Sequence, residues 1–144
     1  MLYALEFLTG MRTGEAAVRR WRDLDPSPPG LGRLTAATAW NSRHKVEKET
    51  KTRAVKWVPV HPVQAAVLGV WLSEGWARFM GREPGPDDLV VPGQRGGVRS
   101  ASKSGDTFKE GARRLGLAAQ THCESRSTFR SLAQAGGPIW GRST

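Results

Sequence analysis

Five stretches of the chain place apolar residues at helical spacing. The first covers residues 2–8 and stops at Gly10, because glycine readily adopts the left-handed conformation that ends helices. The second runs from about Thr13 to Trp21, with Thr13 as its N-cap and Glu15 in its first turn. Two further helices are predicted near the other end of the chain, at residues 101–115 and 122–135.

The longest helical pattern covers residues 62–80. Pro62 can occupy the first turn of this helix, where its missing N–H costs no hydrogen bond. Gly75 weakens the second half of the pattern, so we expect the helix to break there. The residues that recur at helical spacing, and that we therefore predict to face the core, are Val63, Ala66, Val67, Val70 and Trp71.

Two runs with strand-like composition lie between the second helix and the longest one. Residues 33–40 are rich in β-branched and aromatic side chains, and residues 54–60 alternate apolar with polar positions. Pro59 suits a strand end or a sheet edge, because it has no N–H to donate. The connection between the runs is highly charged, so we predict a β-hairpin with an extended, solvated tip. The apolar residues 89–91 predict one more short, buried strand.

A mainly helical chain with one small antiparallel sheet indicates the α+β class. Its 144 residues fit a single domain, and the 38% hydrophobic content is compatible with a packed core. No apolar segment reaches the length that spans a bilayer. Cys123 is the only cysteine, which excludes an intrachain disulfide and a cysteine-based zinc site. We therefore expect a reducing, cytoplasmic setting.

The charge balance adds information about a class of binding partner, which the predicted helices and strands do not give. Lysine and arginine total 22 against 13 aspartate and glutamate residues, for a net charge of +9. Such an excess favours a polyanionic partner, most often nucleic acid. The alternative is a basic protein from a high-GC genome, where arginine is common for mutational reasons.

Three basic clusters could carry the interaction with a polyanion. In the first, "TGMRTGE" at residues 9–15, Arg12 sits between two glycines at the start of a predicted helix. Helix N–H groups, a guanidinium and glycines that allow close approach together suit a phosphate. The alternative is an ordinary corner between helices with a solvated arginine.

The second cluster crowds the tip of the predicted hairpin, at Lys45, Lys48, Lys51 and Arg53. A flexible basic loop on a rigid hairpin can enter a groove of nucleic acid or reach a phosphate. A run of charges is otherwise a solvated face of the protein.

The third cluster opens the last predicted helix. Thr121 and Glu124 have the spacing of a capping box, which makes His122 the first helical residue. His122 and Arg126 lie four apart and therefore share a helix face. This arrangement suits a phosphate next to a proton donor or acceptor. The alternative is a histidine and an arginine on an ordinary surface.

Taken in order, the three clusters resemble motifs of the tyrosine recombinases, the phage integrase family. "FLTGMRTGEAAVRRWRDLD" is similar to the family's first arginine box, in which Thr-Gly-x-Arg is followed by a glutamate and ends in Trp-x-Asp. "ETKTRAVKWVPVHP" resembles the hairpin that carries the family's lysine, and "STFRSLAQAGG" resembles the second arginine box. The match covers residues 2 to about 137. The resemblance implies a catalytic domain of that family, acting in DNA integration and site-specific recombination of mobile genetic elements.

The resemblance also implies roles for individual residues. Arg12 and Arg126 would clamp the scissile phosphate and neutralise the charge that builds in the transition state. Lys51 would protonate the leaving 5′-oxygen, His122 would assist proton transfer, and Glu15 would hold the site together. Lys45, Lys48 and Arg53 would add contacts to DNA. The implied partner is double-stranded DNA, without a metal, a cofactor or a small-molecule substrate, and full-length relatives act on it as oligomers.

The spacing in the second arginine box departs from the family pattern. Family members place the histidine three residues before the arginine, whereas His122 and Arg126 are four apart. A spacing of three falls on Cys123, whose thiol is a poorer proton shuttle at neutral pH. Within a helix, one extra residue rotates His122 by about 100°. If the extra residue instead lies in the loop before the helix, His122 can still reach the site.

The nucleophile is the larger departure. Family members attack the phosphate with a tyrosine that follows the second arginine box. Only "PIWGRST" follows Gly137, and the single tyrosine, Tyr3, is expected to pack in the core. We therefore expect residues 1–144 to form one fragment of a catalytic domain, without the N-terminal DNA-clamping domain and without the tyrosine segment. It would bind DNA but would not cleave it alone. The alternatives are a non-catalytic DNA-binding remnant and a decayed gene fragment.

Overall fold

The computed structural model describes residues 1–26, 32–50, 53–118 and 122–135, and only the backbone of His122 and Cys123. It confirms the α+β class, with helices outweighing two small antiparallel sheets. Within the described part, no helix is both long and apolar enough to cross a membrane. The helices are α1 (Leu2–Thr9), α2 (Thr13–Ala17), α3 (Pro62–Val70), α4 (Trp76–Met80), α5 (Ala101–Arg114) and α6 (His122–Ala135), with a 3-10 turn at Trp21–Asp23 and a π-turn at Trp71–Gly75. The strands are β1 (Leu24–Asp25), β2 (Arg33–Ala36), β3 (Thr38–Asn41), β4 (Val46–Glu49) and β5 (Lys56–Pro59).

The first two helices meet at the corner that holds Arg12. As predicted, α1 ends at Gly10, which has φ 66° and donates its N–H to Glu6. As predicted, α2 begins at Thr13, but its N-cap is Arg12 and not Thr13, and the helix stops at Ala17, well before the predicted end at Trp21. The cause is the Arg19 side chain, whose Nε donates to the Glu15 carbonyl at 2.8 Å. This carbonyl is the acceptor that a further helical turn would use for the Arg19 N–H, which bonds Ala16 instead.

The predicted hairpin forms, but its tip is more ordered than expected. β2 pairs antiparallel with β5, and β1 lies on the other side of β2. The chain then leaves this sheet at Ala37, and β3 pairs with β4 in a ladder of its own. The first half of the charged connection is therefore a two-stranded extension. Pro59 ends β5, an edge strand, as predicted.

The helical segment at residues 62–80 forms without a break, but the side chains that it buries differ from those predicted. It does not break at Gly75, because a π-turn carries α3 into α4. A Cβ at Gly75 would lie only 2.3 Å from the Trp71 ring, so glycine is needed there for close packing. The predicted buried face is wrong: Gln64 and Leu68 are buried, whereas all three predicted valines are exposed, namely Val63, Val67 and Val70.

Two indole N–H groups explain this choice of face. Trp71 Nε1 donates to the Val90 carbonyl at 2.7 Å, and Trp76 Nε1 donates to the Leu89 carbonyl at 2.9 Å. A buried indole needs such a partner, so the tryptophans fix the rotation of the segment more strongly than the valines do. The same bonds satisfy two carbonyls of the segment at residues 89–91, those of Leu89 and Val90. That segment is buried as predicted, but its only β-pairing in the described part is one bridge, between Leu89 and Arg20.

Arg19 joins α2 to both sheets from inside the protein. Its side chain is only 2% exposed, and burial lowers the pKa of the guanidinium, against the nearby carboxylates that raise it. Besides the Glu15 carbonyl, Arg19 donates to the carbonyls of Thr35 at 2.6 Å and Thr38 at 2.7 Å. Asp23 Oδ2 lies 3.4 Å from Arg19 Nη1 and supplies a counter-charge. Arg19 therefore holds the end of β2, the start of β3 and the end of α2 at fixed positions.

We expect Arg19→Met to lower the free energy of unfolding by about 3–5 kcal/mol, because it strands three carbonyls and an aspartate inside the protein. Urea unfolding followed by circular dichroism measures the loss. Arg78→Met is the matched control, since Arg78 is exposed in α4 and should change stability by less than about 0.5 kcal/mol. Equal losses in the two variants would contradict the bridging role of Arg19.

Candidate functional site

Helix α6 crosses the end of α1 and brings two parts of the chain together that are far apart in sequence. The Phe129 ring lies directly over Gly10, where a Cβ would come within 2.4 Å of Phe129 Cδ1. Glycine is thus required at this position by its positive φ and by the ring. Arg126 and Arg130 are four residues apart beside Phe129, so they share one face of α6. This packing places them next to the corner that carries Arg12.

A cleft of about 480 Å³ lies between this corner, the β3 end of the hairpin and α6. Among the described residues, four arginines line it, and none of the lining residues is acidic. Arg12 and Arg126, which the sequence analysis paired as a phosphate clamp, are both in this cleft. The structure thus brings the two predicted arginines into one cleft. The other lining residues are Met11, Thr13, Gly14, Ala17, Trp40, Ser42, Arg99, Ala101, Ser127 and Arg130.

Glu15 supports Arg12 from below the surface. Its side chain is 5% exposed, and Oε2 accepts the Arg12 backbone N–H at 3.0 Å. The other oxygen, Oε1, lies 3.6 Å from Arg12 Nη1 and 3.6 Å from Lys56 Nζ. One buried carboxylate therefore fixes the backbone of the corner and attracts two cations to it. This geometry fits the supporting role predicted for Glu15.

Lys56 is a part of the site that the sequence analysis missed. It shares a second cavity, of about 210 Å³, with Glu15, Arg126 and Arg130. Lys56 reaches this position because β5 pairs with β2 in the register that sets Lys56 opposite Ala36. Spacing along the sequence does not reveal that register, so it offered no signal for this contact.

The two glycines of the first cluster have a different purpose from the predicted one. The sequence analysis assigned them to close approach by a phosphate. Instead, Phe129 fills the space over Gly10, and the Trp40 carbonyl lies 2.8 Å from where a Cβ of Gly14 would be. The Arg12 N–H is also used, by Glu15. The capacity of this corner for an anion therefore resides in the Arg12 guanidinium, whose side chain is 60% exposed.

Three of the four predicted hairpin cations, Lys45, Lys48 and Arg53, do not line the cleft. Lys45 is in the turn between β3 and β4, Lys48 is in β4, and both are exposed. Arg53 is exposed as well and lies 3.9 Å from Glu49. The hairpin reaches the cleft through Trp40 and Ser42. Lys51, the predicted proton donor, lies outside the described residues.

The backbone of α6 decides between the two ways of accommodating the extra residue in the second arginine box. The helix begins at His122, so the spacing of four to Arg126 lies inside the helix and is not absorbed by the loop before it. Position 122 is therefore rotated by about 100° from the position that a spacing of three would give. The side chains of His122 and Cys123, like Thr121, lie outside the described residues.

Tyr3 belongs to α1 and packs against α5. Its hydroxyl donates to the Ser104 carbonyl, and its ring lies 4.9 Å from the Phe108 ring, centroid to centroid. Burial raises the pKa of Tyr3, against the nearby Arg99, which lowers it. The phenol is therefore held neutral and anchored at neutral pH, as expected of a packing residue.

Two further arginines of the cleft were missed by the sequence analysis. Arg130 follows Arg126 by four residues on the same helix, so its place in the cleft could have been inferred from that spacing. Arg99 lies in the basic loop before α5, where the sequence gives no direction for a side chain. Among the residues that the structure describes, no group of three or more histidine, cysteine, aspartate or glutamate side chains could hold a metal ion.

We expect Glu15→Ala to destabilise the corner and Glu15→Gln to preserve most of it. Alanine removes the acceptor of the Arg12 N–H and the acid in the first turn of α2, which costs about 1–2 kcal/mol of unfolding free energy. Glutamine keeps an acceptor but loses the charge. Urea unfolding of both variants measures the difference, and equal losses would show that the Arg12 N–H contact contributes nothing.

Comparison with known proteins places this geometry in a structural context. By sequence, no family and no curated protein matches the chain. By structure, 94% of the chain superposes on XerH site-specific recombinase bound to difH substrate in a pre-cleavage complex, with a TM-score of 0.69 and 18% identity. The same share superposes on the Tn1549 transposon integrase in complex with transposon right end DNA, with a TM-score of 0.74 and 18% identity.

The chain spans 35% of the XerH chain and 45% of the Tn1549 integrase chain. A complex of the same integrase with circular intermediate DNA matches equally well, with a TM-score of 0.74 at 17% identity, and the chain spans 46% of it. The TM-scores establish a shared architecture in spite of the low sequence identity. The chain has the α+β fold of the tyrosine recombinase catalytic domain.

Proposed function

We propose that residues 1–144 form one unit that binds double-stranded DNA and holds a backbone phosphate between Arg12 and Arg126. The observation that carries this proposal is the cleft itself, in which both arginines lie among four, with no acidic residue among the described residues of its wall. Guanidinium groups match phosphate oxygens in geometry and can donate two hydrogen bonds to one phosphate. Two of them from different helices would fix a phosphate in place.

The overall charge supports a polyanionic partner. The net charge is +9, and the exposed hairpin cations Lys45, Lys48 and Arg53 lie beyond the cleft. They can add contacts to phosphates further along the duplex, which position DNA without reading its sequence. The structural neighbours from XerH and the Tn1549 transposon are both complexes with DNA. We propose a role in DNA integration or site-specific recombination for a mobile genetic element, in the cytoplasm.

In a cleavage reaction, the arginine clamp would neutralise charge that builds on the phosphate in the transition state. We propose that Lys51 protonates the leaving 5′-oxygen and that His122 assists proton transfer. The attacking group would be a tyrosine that is not Tyr3, since Tyr3 is bonded to Ser104 and packed on Phe108. We propose that this chain alone binds DNA without cleaving it, and that it acts in assemblies of several subunits on DNA.

A non-catalytic DNA-binding role is the second candidate function. The anchored hydroxyl of Tyr3 favours it, because the chain has no other tyrosine. Both candidates require the arginine clamp, so they share the binding prediction below and differ only in covalent chemistry.

We expect Arg12→Gln and Arg126→Gln each to weaken DNA binding by about 10-fold to 100-fold, because each removes a charge-assisted contact to phosphate. Fluorescence anisotropy with a labelled duplex at several salt concentrations measures affinity. The slope of log affinity against log salt should fall by about one for each variant.

Arg78→Gln is the matched control for these measurements. It removes the same charge from an exposed position in α4 that does not line the cleft. It should weaken binding by less than about threefold. If all three variants behave alike, the domain binds DNA through its general charge and the clamp does not exist.

We expect the 144-residue chain to form no covalent adduct with DNA. Nicked duplexes of randomised sequence trap the adduct of a strand-cleaving recombinase, and denaturing gel electrophoresis reveals it. An adduct with the wild-type chain that disappears in Tyr3→Phe would overturn this prediction and would assign Tyr3 as the nucleophile.

A further inference from the structure

We infer that the arginine cleft binds two successive phosphates of one DNA strand, and that Arg99 and Arg130 hold the second one. This inference rests on the proposed function, which assigns the first phosphate to Arg12 and Arg126. The charges in the cleft are the first observation that supports a second phosphate. Two guanidinium groups already exceed the single negative charge of one DNA phosphate, and two more face the same space.

The charges of Arg99 and Arg130 are not compensated within the described part of the protein. Neither residue forms an ion pair with a carboxylate there, whereas Arg19, Arg20 and Arg22 each do. Glu15 partly offsets the charge of Arg12, but several cations around one cleft still repel one another unless an anion lies between them. A second phosphate supplies the missing negative charge.

The size of the cleft also exceeds the needs of one phosphate. Its volume is about 480 Å³, whereas the five heavy atoms of a phosphate fill at most about 150 Å³ if each is given the roughly 30 Å³ that a water molecule occupies in the liquid. Two phosphates then need at most about 300 Å³. Two neighbouring phosphates therefore fit in this volume, whereas one would leave most of the space to water.

Arg99 gives the strand a direction out of the cleft. It is half-buried just before α5 and lines a second groove of about 640 Å³ as well as the arginine cleft. Arg95 and Lys103 also line that groove, and none of the lining residues that the structure describes is acidic. A strand that passes Arg99 therefore continues along a surface of the same sign of charge.

Arg130 lines the arginine cleft from α6. It is exposed on α6 and lines the arginine cleft and the smaller cavity that contains Glu15 and Lys56. Glu15 already has Arg12 and Lys56 as partners, at 3.6 Å each. Arg130 is therefore available to a ligand on the cleft side, one helical turn from Arg126.

Short oligonucleotides with one or two phosphates test the inference directly. The probes are the thymidine dinucleotide, with one internucleotide phosphate, and the trinucleotide, with two. Their affinities are measured by nuclear magnetic resonance titration of the arginine Nε–H signals. The wild-type chain should bind the trinucleotide about tenfold more tightly than the dinucleotide, because only the trinucleotide reaches the second pair of arginines.

The double variant Arg99→Gln/Arg130→Gln should bind the two probes equally, with the dinucleotide affinity of the wild type. Arg78→Gln is the control and should keep the tenfold preference. On a duplex, Arg99→Gln and Arg130→Gln should each reduce the salt slope by about 0.9, as expected for the loss of one phosphate contact. Urea unfolding of the variants establishes that all of them fold.

The outcomes separate this inference from the proposed function. If the double variant keeps the preference for the trinucleotide, the second subsite is wrong, while losses in Arg12→Gln and Arg126→Gln still support the clamp. If Arg12→Gln and Arg126→Gln bind both probes as the wild type does, the clamp fails and the inference fails with it.

Discussion

The site depends on one buried cation that does not belong to it. Arg19 donates to the carbonyls of Glu15, Thr35 and Thr38. These bonds end α2 early and fix where the chain passes from one sheet to the other at Ala37. The positions of Arg12, at the start of α2, and of Trp40, on β3, follow from that single side chain. An exposed arginine could not replace it, because only a buried guanidinium reaches three carbonyls that belong to different elements.

Much of the fold follows from local signals in the sequence. Gly10 and Pro62 mark helix ends that form as predicted, because each acts through its own backbone geometry. The face of the 62–80 segment was predicted wrongly for its valines, because the buried face of α3 contains the polar Gln64, which a pattern of apolar positions does not count. The choice of face is made by the indole N–H groups of Trp71 and Trp76, which need the carbonyls of Val90 and Leu89. Such a choice depends on partners elsewhere in the chain.

The candidate site divides in the same way. Arg12 and Arg126 could be paired from motif order, and the cleft places them together. Lys56 and Arg99 could not, because Lys56 enters through a strand register and Arg99 through a loop path. The glycines of the first cluster show the opposite error. Both positions require glycine because a neighbouring group comes close, as predicted. That group is Phe129 or Trp40, however, and not a ligand.

The arginines of the cleft repel one another, so we expect added salt to act on this molecule in two opposite ways. At an ionic strength of 0.1 M, charges are screened over about 10 Å. Screening relieves the repulsion among the four arginines and stabilises the free protein. The same screening would weaken the proposed contact with a nucleic acid. Salt that stabilises the free protein would thus weaken the proposed binding, and a small multivalent anion bound among the arginines would stabilise the protein.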